Sequence, residues 1–294
     1  MTKVSVVIPC YNHASYLPEA VASVVAQTFR DFEIIIVNDG SPDDTADVAG
    51  ALVEKHPDVR IRLLNKKNGG LPAARNSGIE AAAGEYILPL DADDVILPDT
   101  LMETVRVLDE NPAVGVAYPR MGLFGELPEG ADRSVTYLTP YDFGRLAAGN
   151  HVPVCSLFRK KAWKEVGGYK VMKAKGFEDW EFWITLGEAG WYGMPAEKAL
   201  FMYRVKAASM FTDAVKVRPR ICHEIRGLHP RLYYPRASKA GPAVTRAVNF
   251  AAYVLHWSLD SVSHYLYRNH EGLHAALRSV FGGLLRPFRH EPWR

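Results

Sequence analysis

Short apolar runs alternate with amphipathic segments over the first 120 residues of the chain. The apolar runs are rich in Val and Ile and contain few polar positions, which is typical of strands buried on both faces of a sheet. The segments between them place apolar residues on one face of a helix. The pattern predicts strands at 4–8, 32–37, 60–64, 86–90 and 114–118, and helices at 16–27, 44–55, 72–83 and 98–109.

Strands that alternate with helices predict an α/β fold with a mostly parallel, doubly wound sheet. Pro72 and Pro98 stand where a first helical turn tolerates proline, and Gly84 follows the third helix as a stop signal. The pattern loosens at 119–149, where we expect loops. Beyond it we predict a strand at 152–158, helices at 160–166 and 178–189, and a last strand at 199–205.

The charge balance changes after Asp213. Residues 1–213 contain 22 Lys and Arg against 29 Asp and Glu, whereas residues 214–294 contain 13 against 4. We therefore predict one domain at 1–213 and a basic, mainly helical C-terminal appendage at 214–294, with a longer helix at 244–267. Such a region suits an anionic partner, for example a membrane surface or a phosphate-bearing acceptor. A basic appendage without such a partner fits the composition equally well.

Residues 273–294 combine apolar bulk, several arginines and a terminal Trp, as segments that lie at a membrane surface do. A dimer contact or packing within the chain fits the same pattern. The pattern at the start of the sequence leads us to expect no signal peptide. There is no run of 18 apolar residues, and the three cysteines are too few for a disulfide framework. We expect a cytoplasmic protein, at the inner face of the membrane if this segment docks there, and no nucleic-acid partner.

Polar residues follow the predicted strands at the point where each strand ends. Since ligands of doubly wound sheets bind at the carboxyl ends of the strands, these clusters predict one binding site. Asp39 can accept hydrogen bonds from a ribose hydroxyl or a base N–H. The clusters are Pro9-Cys10-Tyr11-Asn12, Asn38-Asp39-Gly40-Ser41, Asn68-Gly69-Gly70 and Asp91-Ala92-Asp93-Asp94.

The carboxylates of Asp91, Asp93 and Asp94 repel one another unless a cation or water lies among them. Mg2+ or Mn2+ binds one or two carboxylates and completes its coordination with water and substrate phosphates, so the cluster favours a divalent cation and a diphosphate ligand. The alternative is a solvated turn, with Asp94 or Asp99 at the positive end of the helix near Pro98.

Two further predictions concern helix starts near this edge. Ser41 with Asp44 is expected to cap the second helix. Arg75 lies one turn into the third helix, where a cation is mildly unfavourable, so we expect it to have a partner such as Asp39, Asp91 or a nucleotide. A solvent-facing salt bridge is the alternative for Arg75.

These motifs together resemble the family 2 inverting glycosyltransferases of the GT-A fold, over about the first 205 residues. The segments that carry the resemblance are Val4 to Asn12, Val37 to Ser41, Asn68 to Gly70 with Ala74 to Gly78, and Leu90 to Asp94. The resemblance implies that 1–213 binds a nucleotide sugar and catalyses its transfer. It implies that Asp91 and Asp93 hold Mn2+ or Mg2+, with the third protein ligand open, and that Pro9, Tyr11, Asp39, Arg75, Asp91 and Asp93 bind the donor. We predict that Asn12, which follows the first strand, and Lys206, where the chain departs from the family pattern, also bind the donor.

The family also has a later acidic motif that supplies a general base, and Glu178 with Asp179 matches it. The resemblance makes these the catalytic residues, with Asp179 as the base. Inversion independently requires a carboxylate that takes the proton of the attacking hydroxyl. Burial between Phe177, Trp180 and Trp183 would raise the pKa of Asp179. Trp180, Phe182 and Trp183 could stack on sugar, although core packing is the commoner fate of such side chains. The alternative for both acids is a favourable helix start.

One segment departs from the family pattern. Many relatives carry Tyr-Arg-x-His after the last strand, and this chain has Tyr203-Arg204-Val205-Lys206. A protonated lysine cannot bind a metal ion, but it can neutralise a diphosphate. The departure leaves the metal requirement open.

The expected function is transfer of a sugar, with inversion, from a nucleoside diphosphate sugar to a hydroxyl of a glycan or lipid-linked saccharide. A dinucleotide-binding enzyme is excluded because the first turn, residues 8–13, contains no glycine. The alternative is a scaffold protein that binds a nucleotide sugar without catalysis and docks to a membrane through its tail.

Overall fold

The computed structural model describes residues 2–127, 130, 136–207, 209–246 and 248–249. Its strands are β1 Val4–Cys10, β2 Phe32–Asn38, β3 Ile61–Asn65, β4 Tyr86–Pro89, β5 Val95–Ile96, β6 Val114–Gly125, β7 Thr136–Tyr137, β8 Leu157–Arg159 and β9 Tyr192–Val205. Its helices are α1 Leu17–Val25, α2 Thr45–Lys55, α3 Leu71–Ala81, α4 Thr100–Glu110, α5 Phe143–Ala148, α6 Lys160–Val166, α7 Glu178–Glu188, α8 Met210–Lys216, α9 Arg218–Leu228, α10 Pro230–Tyr233 and α11 Pro235–Ala240.

The strands form one sheet in the order β3-β2-β1-β4-β8-β6-β9-β5, with β7 paired to β6. The pairs among β3, β2, β1 and β4 are parallel, and so is β6 with β9. Strand β8 is antiparallel to both of its neighbours, and β5 is antiparallel to β9. The prediction of an α/β fold with a mostly parallel sheet is confirmed.

The continuous apolar runs form the centre of the sheet. Every residue of β1 and β2 is buried, and α1 packs its apolar face, which includes Leu17 and Val21, into the same core. Helix α3 lies close to the strands because of Gly78, where a Cβ atom would stand 2.4 Å from Val7 Cγ1 and 2.9 Å from Val37 Cγ2. Only glycine permits this approach, which brings α3 to the site edge.

Several predicted boundaries were wrong. Strand β8 covers Leu157–Arg159 rather than the predicted 152–158. Two features end the strand pairing earlier in this segment: Pro153 has no N–H to donate, and the N–H of Ser156 donates to the carbonyl of Val154 in a turn. Strand β9 begins at Tyr192, well before the predicted residue 199. The prediction missed the first part of the strand because only Ala196 is buried within 192–198 and no continuous apolar run marks it. The short elements α5, β5 and β7 were not predicted, and most of the predicted helix at 244–267 lies outside the described residues.

The chain forms two compact units. The first comprises Met1–Phe143, His151–Val171 and Glu178–Ser209, and the second comprises Gly144–Asn150, Met172–Phe177 and Met210–Arg294. The described part of the second unit is helical, and Ile221, Cys222 and Ile225 of α9 are buried. The domain boundary at residue 213 stays a prediction. Within the residues that the structure describes, no helix is both long enough and apolar enough to cross a bilayer.

Candidate active site

The end of β2 is covered by the segment that follows β3. The buried carboxylate of Asp39 accepts hydrogen bonds from the N–H groups of Gly69 (3.0 Å) and Gly70 (2.9 Å) and pairs with Lys66 Nζ at 2.6 Å. At Gly40, with φ +69°, a Cβ atom would stand 2.8 Å from the backbone nitrogen of Asn68. Asp39 and the glycine pair therefore lie together, as predicted from the strand ends.

The segment after β1 carries three predicted donor-binding residues. Pro9 is buried within β1, whereas Tyr11 is 49% exposed and Asn12 is exposed. Asn12 has a left-handed backbone (φ 56°), and its N–H donates to Ser41 Oγ at 3.2 Å. This segment presents Tyr11 and Asn12 to solvent at the site edge.

The predicted capping of α2 by Ser41 with Asp44 was wrong. Ser41 Oγ donates to the carbonyl of Cys10, and the side chain of Asp44 makes no capping hydrogen bond. Asp43 takes this role instead, because its Oδ1 accepts the N–H and the hydroxyl of Thr45. Ser41 therefore joins β1 to the end of β2.

Arg75 is 1% exposed, and its guanidinium connects the two acidic motifs. Nη2 donates to Asp91 Oδ1 at 2.6 Å, and Nη1 donates to Glu178 Oε1 at 2.7 Å. Burial works against the charge, but Asp91 and Glu178 more than offset it and raise the pKa of Arg75. Asp91 is confirmed as a partner, and the solvent-facing alternative was wrong.

Asp94 is not part of a solvated turn, because it is 1% exposed. Its Oδ1 accepts the backbone N–H of Arg204 at 2.8 Å, and its Oδ2 has no hydrogen-bond partner among the described residues. Burial, together with the nearby charges of Asp93 and Asp91, raises the pKa of Asp94 well above its ordinary value. Asp99 stands at the N-cap position of α4, as the alternative expected, but its side chain accepts a hydrogen bond from Thr28 and makes no capping hydrogen bond to the helix.

Asp93 is paired with Lys206, whose ammonium lies 2.5 Å from Asp93 Oδ2 and 2.9 Å from His13 Nε2. The neighbouring Arg204 donates to the carbonyl of Asp93 at 2.7 Å and pairs with Glu19. The end of β9 thus holds the loop that carries Asp93 and Asp94.

Helix α7 begins with the second acidic motif. Glu178 is 6% exposed and is bound to Arg75, whereas Asp179 is half-buried. Core packing, given as the commoner fate of these aromatic residues, is confirmed, and the alternative of stacking on sugar was wrong, since Trp180, Phe182 and Trp183 are at most 2% exposed. They are packed in the core, where the rings of Phe158 and Phe182 lie 5.2 Å apart.

Two site residues were not predicted. Lys66 is the first residue after β3, and His13 follows Asn12 after β1, so position at a strand end was the available signal for both. Burial and the nearby ammonium of Lys206 lower the pKa of His13, although Asp93 acts in the opposite direction. A neutral imidazole is consistent with accepting a hydrogen bond from Lys206.

The residues present do not fit a divalent cation held by the protein. Asp91 already has Arg75 as a cationic partner, and Asp93 already has Lys206. Among the described residues, no three His, Cys, Asp or Glu side chains come together in a group that could hold a metal ion. The contacts of Asp91 and Asp93 therefore do not support the predicted divalent cation at these two residues.

A family model described as glycosyl transferase family 2 matches residues 5–167, and the chain belongs to this family. It is similar to the chondroitin synthase of Pasteurella multocida, with 31% identity over 189 residues that cover 64% of this chain and 19% of the synthase. The chain spans only 18–39% of the length of the first curated relatives that it matches.

Two solved structures share the fold. S. aureus TarS 1-349 in complex with UDP-GlcNAc has a TM-score of 0.61 and 22% identity, over 78% of this chain and 66% of that chain. The mannosyltransferase of Pyrobaculum calidifontis in complex with GDP-Man and Mn2+ has a TM-score of 0.60 and 20% identity, over 99% of this chain and 82% of that chain. The resemblance to GT-A glycosyltransferases of family 2 is confirmed.

Proposed function

We propose that the protein is an inverting glycosyltransferase that moves a sugar from a nucleoside diphosphate donor to a hydroxyl of a glycan or lipid-linked saccharide. The observation that carries the proposal is the bridge formed by Arg75, because one buried guanidinium binds both Asp91 and Glu178. Two acidic motifs distant in sequence therefore meet at one edge of the sheet. Family membership and the nucleotide sugars bound by the similar structures support the donor class.

The donor lies, in this proposal, across the ends of β1, β2 and β4. Tyr11 is exposed and offers a ring on which a base can stack, and Asn12 adds polar groups beside it. Asp39 holds the glycine pair and accepts a hydrogen bond from the base or ribose. Pro9 shapes the backbone of this edge.

The diphosphate lies near Asp93 and Lys206, and Asp91 faces the ribose. Arg75 was predicted to bind the donor; its burial and its two carboxylate partners support a positioning role in this proposal. Glu178 is likewise held by Arg75, so it positions the start of α7 rather than the substrate.

Asp179 is the general base in this proposal. It is the adjacent carboxylate and keeps part of its surface exposed, whereas Glu178 is buried. The acceptor hydroxyl attacks the anomeric carbon from the face opposite the departing diphosphate, and Asp179 takes the hydroxyl proton as the new bond forms. This sequence of events inverts the anomeric configuration.

The test is the Asp179→Asn variant. We expect kcat to fall by about 100- to 10,000-fold, because a positioned base contributes this much, while nucleotide affinity stays the same. The matched control is Glu80→Gln, which removes an exposed carboxylate from α3. NMR of the product should show the inverted anomer, and full transfer by Asp179→Asn or a retained anomer would contradict the assignment.

Thermal-shift measurements with UDP, GDP, dTDP and CDP identify the donor nucleotide, since a bound ligand stabilises the folded protein. Stabilisation without any transfer would favour the alternative, a scaffold protein that binds nucleotide sugars. A cytoplasmic location and membrane contact through residues 273–294 remain proposals, and sedimentation with liposomes before and after removal of 273–294 tests the contact.

A further inference from the structure

Lys206 is a cation fixed at the edge of the sheet where the diphosphate of a donor would lie. Its ammonium contacts Asp93 Oδ2 at 2.5 Å and His13 Nε2 at 2.9 Å, and it lies 5.0 Å from the centre of the Tyr16 ring. The side chain is only 15% exposed. These three contacts come from two different loops, so the position of the ammonium is well defined.

Two of the three N–H donors of this ammonium are used by the protein. A lysine ammonium can only donate, so His13 Nε2 accepts the hydrogen bond and the imidazole carries its proton on Nδ1. Asp93 accepts the second N–H. No described residue accepts the third N–H, which is available to a ligand. A phosphate oxygen is the acceptor that gains most from it because the hydrogen bond is charge-assisted.

The same contacts disfavour a divalent cation at this place. A metal ion bound to Asp93 would compete with Lys206 for the carboxylate and would be repelled by the ammonium. Arg204 does not replace Lys206 as a phosphate ligand, because its guanidinium is bound to Glu19 and to the carbonyl of Asp93 and lies 4.2 Å from the centre of the Phe124 ring.

We propose that Lys206, positioned by Asp93 and His13, binds the diphosphate of the donor in place of a divalent metal ion. The inference rests on the proposed function, and it specifies that nucleoside diphosphates bind this chain without added metal. Lys206 is thus a specificity residue that distinguishes a diphosphate from a monophosphate.

Isothermal titration calorimetry with UDP, UMP, GDP and GMP, in EDTA and in excess MnCl2, tests the proposal on the full chain. We expect one of the two diphosphates to bind the wild type with the same affinity in both buffers. We expect Lys206→Met to bind that diphosphate about 10- to 100-fold more weakly, the effect of one charge-assisted hydrogen bond, with the monophosphate affinity unchanged. Lys206→Arg keeps the charge and should restore most of the affinity.

The matched control is Lys216→Met, which removes a lysine that is 73% exposed and should leave all four affinities unchanged. Lys206→His tests whether the ammonium of Lys206 keeps a metal ion from Asp93, because the variant replaces the ammonium with a metal ligand beside Asp93 and His13. Electron paramagnetic resonance should detect Mn2+ bound to this variant and none bound to the wild type.

Two results would overturn the inference: diphosphate binding by the wild type only in MnCl2, or unchanged diphosphate affinity in a folded Lys206→Met variant. Wild-type binding that depends on metal would leave the proposed function intact. Failure of UDP, GDP, dTDP and CDP all to bind in either buffer would instead contradict the proposed function itself, so the two failures are distinguishable.

Discussion

The two ends of the parallel strands both contain a buried charge, but they satisfy it differently. At the amino end, Glu33 accepts hydrogen bonds from Ser5 Oγ and the N–H of Ala83, both at 2.7 Å, and lies 3.3 Å from Arg60 and Arg62. These partners belong to neighbouring strands and to the connection before β4. At the carboxyl end, the partners of Arg75 are 16 and 103 residues away in sequence.

The comparison indicates that the charge of Glu33 stabilises the fold, whereas the charge of Arg75 also positions residues of the candidate site. Glu33 joins elements that the sheet already places side by side, and the side chains of its partners Arg60 and Arg62 are 54% and 35% exposed. Arg75 joins two motifs that lie far apart in the sequence. We therefore expect substitutions at the amino end to change stability alone, and substitutions at the carboxyl end to change catalysis as well.

The largest expected effect is that of Arg75→Met, which leaves the buried carboxylate of Glu178 without its cation. We expect the free energy of unfolding to fall by about 3–5 kcal/mol, the cost of breaking a buried ion pair, together with loss of transfer. Urea unfolding measures the first and a transferase assay the second. Arg60→Met is the control, because Arg60 is 54% exposed and its removal should cost at most about 1 kcal/mol. Equal costs for the two variants would contradict the comparison.

Glu33→Gln should have an intermediate effect. The amide keeps an acceptor for Ser5 and Ala83 but turns an N–H group toward Arg60 and Arg62, so we expect a loss of about 1–3 kcal/mol in unfolding free energy. Nucleotide affinity and kcat should not change. A large fall in kcat without a fall in stability would show that the amino end contributes to the site.

The smallest expected effect is at Asp109, which is 46% exposed and contacts Lys3 and Tyr86 at the amino end. Burial raises its pKa, but the hydrogen bonds from Tyr86 and Lys3 outweigh burial and lower the pKa below its ordinary value. The ionised form therefore stabilises the folded protein above the pKa of the unfolded chain, about 3.9, and this contribution is lost as pH falls through the lower folded value.

Asp109→Asn should accordingly cost at most about 1 kcal/mol at pH 7. The difference from the wild type should shrink as pH falls below about 3.9 and should disappear once pH is below the lowered pKa of Asp109 in the folded protein. Urea unfolding at several pH values measures it, and a difference that grows as pH falls would reverse the assigned sign.

The sequence predicts the buried half of the fold better than the exposed half. Strands β1 and β2 appear as continuous Val and Ile runs because both of their faces are covered, and α6 was predicted with its observed bounds. Strand β9 is only partly covered, so its polar positions concealed its first part. Two-residue strands such as β5 depend on pairing with a distant partner and leave no local pattern.

The sequence predicted which edge of the sheet carries the site, but it did not predict the contacts among the site residues. Strand ends placed Asp39, Asp91 and Asp93 together, since the carboxyl ends of parallel strands meet. The choice of Asp91 and Glu178 as joint partners of Arg75 depends on how α3 and α7 pack, which no local pattern contains. The contact between His13 and Lys206, 193 residues apart, was inaccessible for the same reason.

The bridge at Arg75 also constrains how this part of the molecule moves. If the end of β4 and the first turn of α7 moved apart, the buried guanidinium of Arg75 or the buried carboxylate of Glu178 would lose its ion-pair partner. We therefore expect the two segments to open and close together. Their slowest amide protons should therefore exchange with deuterium at similar rates in the wild type. In Arg75→Met the exchange rates of the two segments should differ, because the methionine side chain cannot bind Asp91 and Glu178 at the same time.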